Sequence, residues 1–155
     1  MVNSINFLMV GVGGQGTILV SDILSEVGML AGYDVKKSDN MGLSVRGGAV
    51  SSHVRWNKDA VGSPMSMTGT VDVLIGSEPM ETMRSAHFLR KGATIVTNTY
   101  VMQPMSVSTG NATYPTKEEA DACFHAAADT VISYDATNMA VELGNVKVMN
   151  IILLG

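Results

Sequence analysis

Apolar positions along this chain fall into two patterns that alternate from its first residues onward. Residues 5–11 (INFLMVG) form a short, almost unbroken apolar run ending in glycine, as expected for a strand buried on both faces. In residues 17–31, Ile18, Leu19, Ile23, Leu24, Val27, Leu30 and Ala31 recur at helical spacing, and Gly32 supplies a stop. Residues 33–38 (YDVKKS) read as a second strand. Strand, glycine turn, helix and strand make a βαβ unit, so part of the sheet is expected to be parallel.

Residues 39–48 (DNMGLSVRGG) break this rhythm, with three glycines and no helical period, and predict a loop. Residues 49–56 (AVSSHVRW) then alternate. Val50, Ser52, Val54 and Trp56 share one side; Ser51, His53 and Arg55 share the other, which is expected to be wet or to face a partner. A loop over 57–70 leads to a buried strand at 71–76 (VDVLIG). Pro79 opens a helix over 80–91 that stops before Gly92, and 93–98 (ATIVTN) is the next strand. Residues 99–115 are irregular, with one short strand around Val107. A helix over 117–128 carries an acidic first turn (Glu118, Glu119, Asp121) that suits its macrodipole. A strand at 130–135 and a short helix at 136–143, ended by Gly144, complete the pattern. The expected architecture is one α/β domain over residues 1–155. It is a three-layer α/β/α sandwich with a mostly parallel, partly mixed sheet, Rossmann-like at its start.

Composition narrows the chemistry. The 155 residues include 10 Lys+Arg and 14 Asp+Glu, a net charge of −4, and only 15% are charged, against roughly 25% in an average soluble domain. Hydrophobic residues make up 46%, which excludes a wholly disordered chain. The small acidic excess argues against nucleic acid as a partner. So weakly charged an exterior is expected to be covered in part by another chain. Twelve methionines are expected mainly to fill core gaps, with an adaptable interface as the alternative.

Cys123 is the only cysteine, so no intrachain disulfide forms and a reducing compartment is expected. An iron–sulfur cluster takes about four thiolates, and His53, His87 and His125 are scattered, so no metal site is expected on this chain. The first residues lack the basic start and cleavage site of a signal peptide. No stretch approaches the ~20 apolar residues of a membrane span. The expectation is a cytoplasmic protein with no membrane partner.

Two glycine segments carry the candidate chemistry. Gly11-Val12-Gly13-Gly14-Gln15-Gly16 follows a strand and opens a helix, the setting in which backbone N–H groups receive an anion. Asp39, 23 residues after Gly16, stands near where a ribose-binding carboxylate is sought. Against an NAD or FAD site stand the missing crossover helix after the second strand, the neighbouring Lys36 and Lys37, and the polar Gln15 within the turn. The glycines could equally serve only a tight turn. In Ser44-Val45-Arg46-Gly47-Gly48, Arg46 offers a bidentate donor to phosphate or carboxylate, or is simply a solvated surface charge.

GVGGQG, followed in order by KKSDNMGLSVRGGAVSSHVRW, VDVLIGSEPMET and ELGNVKVMNIILLG, resembles the gamma-type subunit of 2-oxoacid:acceptor (ferredoxin) oxidoreductases. Within that family the likeness is greatest to the indolepyruvate:ferredoxin oxidoreductase beta subunits, and it spans residues 7–155. The resemblance implies a subunit of an enzyme that decarboxylates 2-oxoacids, aryl pyruvates such as indolepyruvate in this branch, to acyl-CoA and CO2. It implies a large catalytic partner carrying thiamine diphosphate, magnesium and iron–sulfur clusters, which passes electrons to ferredoxin, with CoA as co-substrate. Family members continue with further helices beyond the position of Gly155, so a domain lacking those helices is expected. This chain has neither the cysteines for a cluster nor the G-D-G…N stretch of thiamine enzymes, and no catalytic residue is expected on it. Gly11, Gly13, Gly14, Gln15, Gly16, Ser44, Arg46, Gly47 and Gly48 are expected to lie together on the surface that faces CoA and the active site. The alternatives are a purely structural assembly module and a free-standing NAD- or FAD-binding protein.

Overall fold

The first apolar run becomes a central strand. In the computed structural model, which describes residues 2–42, 47–103 and 105–155, β1 (Ser4–Val12) lies inside a six-stranded sheet. Strand geometry sends alternate side chains to opposite faces. Phe7 and Met9 therefore enter one core, Leu8 and Val10 the other, and all four are buried. The chain continues through α1 (Thr17–Leu30), β2 (Asp34–Met41), β3 (Ala49–Asn57), β4 (Val71–Gly76), α2 (Pro79–Ser85) and β5 (Leu89–Asn98). It ends with α3 (Met105–Ser108), α4 (Lys117–Ala127), β6 (Thr130–Tyr134), α5 (Ala136–Glu142) and α6 (Met149–Leu154).

The strand order is β2-β3-β1-β4-β5-β6. Strands β1, β4, β5 and β6 run parallel, and β3 runs antiparallel to both of its neighbours. One layer packs Val20 of α1, Ala136 and Ala140 of α5, and Met149 and Leu153 of α6 against Phe7, Met9, Trp56 and Ile75. The other packs α4, through Ala120 and Phe124, against Leu8, Leu74 and Ile95, with Met83 of α2 at its margin. The expected three-layer, partly mixed sandwich is what the chain forms.

Several local expectations need correction. Residues 39–41 extend β2 instead of starting a loop, because β2 and β3 pair as an antiparallel hairpin with Met41 opposite Val50. Consequently β1 and β2 of the expected βαβ unit run parallel but do not touch; β3 lies between them. The second face of β3 is wet only in part: His53 is 1% exposed and rests edge-on against Phe88, whereas Ser51 and Arg55 are half-buried. Helix α2 is shorter than its pattern suggests. Residues 89–91 are drawn into β5, where Leu89 pairs with Val71 and is buried, so Gly92 sits inside a strand. Val107 lies in the single helical turn of α3, not in a strand, and α6 was not expected as a helix. Methionines fill the core at Met9, Met80 and Met149, but Met29, Met41, Met65, Met67, Met102, Met105 and Met139 are exposed. Among the described residues no helix is long and apolar enough to cross a membrane.

Candidate functional site

The ends of β1 and β4 define the place where ligands collect in such sheets. From β1 the chain turns into α1 on one face; from the adjacent parallel β4 it turns into α2 on the other. A crevice opens where neighbouring strands send their connections to opposite faces. The glycine loop stands at this point. Its last residue, Gly16, has φ +79° and is the N-cap of α1, where it offers no side chain to the first helical N–H groups. Those groups point toward whatever lies beyond the helix end.

The second glycine segment is brought to the same spot. The β1–β3 ladder continues past Val12↔Ala49, so that Gly13 N–H donates to the Gly48 carbonyl (2.8 Å) and Gly47 N–H to the Gly13 carbonyl (3.4 Å). Gly13, Gly14, Gly47 and Gly48 are thus neighbours. Ser44 and Arg46 lie outside the described residues. A third segment, absent from the sequence reading, joins them: Met105 N–H donates to the Gly47 carbonyl at 3.0 Å, and Arg84 reaches Ser106 at 3.2 Å. A cleft of about 300 Å³ between α1 and the β2–β3 hairpin is lined by Gly13, Gly14, Gly16, Thr17, Met41 and Val50.

Gln15 and Gly11 belong to the scaffold of the loop. The Gln15 side chain is buried; its Oε1 accepts from Val12 N–H (2.8 Å) and its Nε2 donates to the Ser77 carbonyl (3.1 Å). A Cβ on Gly11 would stand 2.9 Å from both Gln15 Oε1 and Thr17 Oγ1, so glycine there makes room for this folded-in amide. Asn98 also donates to the Ser77 carbonyl (3.2 Å) and to Thr137 Oγ1 (2.8 Å), tying the tips of β4 and β5 to α5. Gln15 therefore braces the floor of the crevice through its side chain.

Asp39 is equally engaged. Its carboxylate accepts from Ser52 Oγ (2.6 Å) and pairs with Lys37 (3.0 Å), which also binds Asp22. Burial alone would lower the Lys37 pKa, but these two carboxylates raise it above its ordinary value. The antiparallel β3 also sets Asp39 a full strand, about 4.8 Å, farther from β1 than in a dinucleotide fold. The ribose site considered from the sequence has neither its free carboxylate nor its neighbour.

Beneath the crevice, Glu78 caps α2 by accepting from Glu81 N–H (3.1 Å) and receives the Tyr114 hydroxyl. Burial pushes its carboxyl pKa up, against the hydrogen bonds that pull it down. Burial, then the Glu78 carboxylate, raises the pKa of Tyr114. Metal donors are sparse: Cys123 is the sole cysteine in the sequence, and among the described residues no three His, Cys, Asp or Glu side chains converge. That donor set does not fit an iron–sulfur cluster.

The sequence model of the family described as pyruvate ferredoxin/flavodoxin oxidoreductase matches residues 6–155. The chain belongs to this family. The indolepyruvate oxidoreductase subunit IorB of Pyrococcus horikoshii is 36% identical over 97% of this chain and 74% of its own length. Among solved structures, 2-oxoglutarate:ferredoxin oxidoreductase from Magnetococcus marinus, with 2-oxoglutarate, coenzyme A and succinyl-CoA bound, superposes with a TM-score of 0.68 at 16% identity. It covers 99% of this chain and 24% of that one. Pyruvate oxidoreductase subunit PORC from Thermotoga maritima gives 0.67 at 18% identity, over 99% of this chain and 74% of that one. These two likenesses establish the fold that this family member shares with them. The residues sequence reasoning missed at its crevice, Ser77, Asn98, Thr137 and Asn150, are distant in the chain; Ser77 and Asn150 lie within quoted segments, but nothing local shows that they meet the glycine loop.

Proposed function

We propose that this chain is the small subunit of a thiamine diphosphate- and iron–sulfur-dependent 2-oxoacid:ferredoxin oxidoreductase that converts aryl pyruvates such as indolepyruvate to acyl-CoA and CO2. The IorB relatives, and the order of the GVGGQG, SVRGG and SEPMET segments, support the substrate class. The large partner carries the thiamine, magnesium and clusters and delivers electrons to ferredoxin; the donor set of this chain supports that division. This subunit works inside the cell, in the cytoplasm.

Within the complex, the surface made by Gly13, Gly14, Gly16, Gly47 and Gly48, with Ser44 and Arg46, receives CoA. The observation that carries this reading is the pair of Gly13 hydrogen bonds to Gly47 and Gly48, which sets the two loops side by side at the uncapped start of a 14-residue helix. An uncapped helix N-terminus favours an anion, and a guanidinium adds a charge-assisted donor worth about 1.5–3 kcal/mol. CoA brings phosphates that suit both. Reconstituting the complex with Arg46→Ala tests this. The expected result is an intact complex whose KM for CoA rises at least about tenfold with kcat little changed. Loss of the complex would instead favour an assembly module, and unchanged assembly with unchanged CoA saturation would overturn the site. Stoichiometric NAD or FAD on the purified chain would overturn the reading as a whole.

A further inference from the structure

The side of the glycine loop away from the β2–β3 hairpin is held by a residue far along the chain. Asn150, at the start of α6, is 4% exposed, and its Nδ2 donates to the Gln15 carbonyl at 2.7 Å across 135 positions of sequence. That carbonyl belongs to the peptide joining Gln15 to Gly16, whose own N–H leads into α1. All peptide bonds of the described chain are trans. In a trans peptide the C=O and N–H point in opposite directions. By holding the carbonyl toward α6, Asn150 therefore turns the Gly16 N–H away from α6.

Three further observations show that this contact is built into the loop. A Cβ on Gly16 would lie 2.3 Å from Asn150 Nδ2, so the last glycine of the motif admits the asparagine as well as adopting a left-handed backbone. Among the described residues Asn150 Oδ1 is buried without a hydrogen-bond partner. Leaving such a group unpaired costs stability, which an apolar side chain would avoid. Finally, Met149 and Leu153 anchor α6 in the core beside α1, so the amide is presented from a rigid support. A peptide flanked by glycine is otherwise easily turned over, because glycine populates positive and negative φ about equally.

We infer that Asn150 is a positioning residue: it fixes the orientation of the Gln15–Gly16 peptide and thereby aims the Gly16 N–H at an anionic ligand. The inference rests on the reading of the loop as the CoA-facing site. The test uses the complex reconstituted with its large subunit and compares Asn150→Asp with Asn150→Ala. The aspartate keeps the shape but, when ionised, has no donor and sets a charge against the carbonyl. A positioning role predicts a KM for CoA raised about tenfold in Asn150→Asp, at least as much as in Asn150→Ala, with kcat within about twofold. It also predicts that the Asn150→Asp defect shrinks as the pH falls and the carboxyl regains a proton to donate, whereas the Asn150→Ala defect does not.

A packing role alone predicts the reverse order, with Asn150→Ala losing complex yield and Asn150→Asp nearly normal, and that result would overturn the assignment. Arg46→Ala, measured alongside, separates the two readings. If it raises the KM for CoA while Asn150→Asp does not, the positioning role falls and the loop site stands. If neither variant moves CoA saturation, the loop reading fails and takes this inference with it.

Discussion

Glu78 shows how a single side chain can be tied to several needs of the fold. It is fully buried, caps α2 and takes the hydroxyl of Tyr114, which belongs to the segment leading from α3 to α4. Burial raises its pKa, and the nearby Glu81, itself shifted upward by burial and partly relieved by Arg84, adds to the effect. A carboxyl whose folded pKa lies above its unfolded value holds its proton longer in the folded state. Its contribution to stability is therefore full below the ordinary value of 4.5 and is lost as the pH rises through the folded pKa. Glu78→Gln keeps one acceptor oxygen, for Glu81 N–H, turns its amide N–H2 toward the Tyr114 oxygen, which can accept from it, and does not titrate. In urea unfolding of the subunit from pH 4 to pH 8, its stability relative to the parent should climb with pH; a difference that stays flat would remove Glu78 as a titrating group. Glu78→Ala, which loses the cap and strands the Tyr114 hydroxyl, should cost about 1–3 kcal/mol at the acid end of that range and less as the pH rises.

At the level of elements, α1 illustrates how sheet packing overrides helical preference. Its apolar spacing places the helix correctly, but Gly28 is a poor helix residue, about 1 kcal/mol worse than alanine. The reason lies on β3. A Cβ at Gly28 would stand 2.5 Å from the ring of Trp56, which is itself wedged between Phe7 (centroids 4.8 Å apart) and Tyr33 (5.5 Å). Gly28→Ala should therefore destabilise the subunit by about 1–3 kcal/mol despite its better propensity. Trp56→Leu in the same chain should recover part of that loss, and a double-mutant cycle in urea measures the coupling. Asp39 makes the same point for strands. Its distance from Gly16 in the sequence suggested a nucleotide carboxylate, and the insertion of β3 turned it into the partner of Ser52 and Lys37.

Over the whole molecule, the low proportion of charge acquires an address. Leu30 is 82% exposed at the end of α1 and Leu143 72% exposed just after α5, and Val27, Val141, Val146 and Ile151 are also exposed. These residues lie on or beside α1, α5 and α6, and α6 packs against both of the other helices. Exposed apolar surface of this kind marks an interaction face or an aggregation liability. The subunit alone should accordingly be inert and should self-associate at micromolar concentration. Leu30→Glu combined with Leu143→Glu should shift it toward monomer in sedimentation velocity, and an unchanged distribution would locate the sticky surface elsewhere.

How far the chain could be read without its structure follows from the range over which each signal acts. The buried strands, the main helices and the three-layer architecture were legible because period and helix-end signals act within a few residues, as in the run 71–76 or the acidic first turn of α4 at Glu118 and Glu119. The family was legible from ordered motifs. Folding contributed what depends on partners far apart: β3 between β1 and β2, the burial of His53, the inward turn of Gln15, and the arrival of Asn150 behind Gly16. None of these has a local period or cap to announce it. Each is settled by which surfaces must be covered and which buried polar groups must find a partner once the sheet has closed.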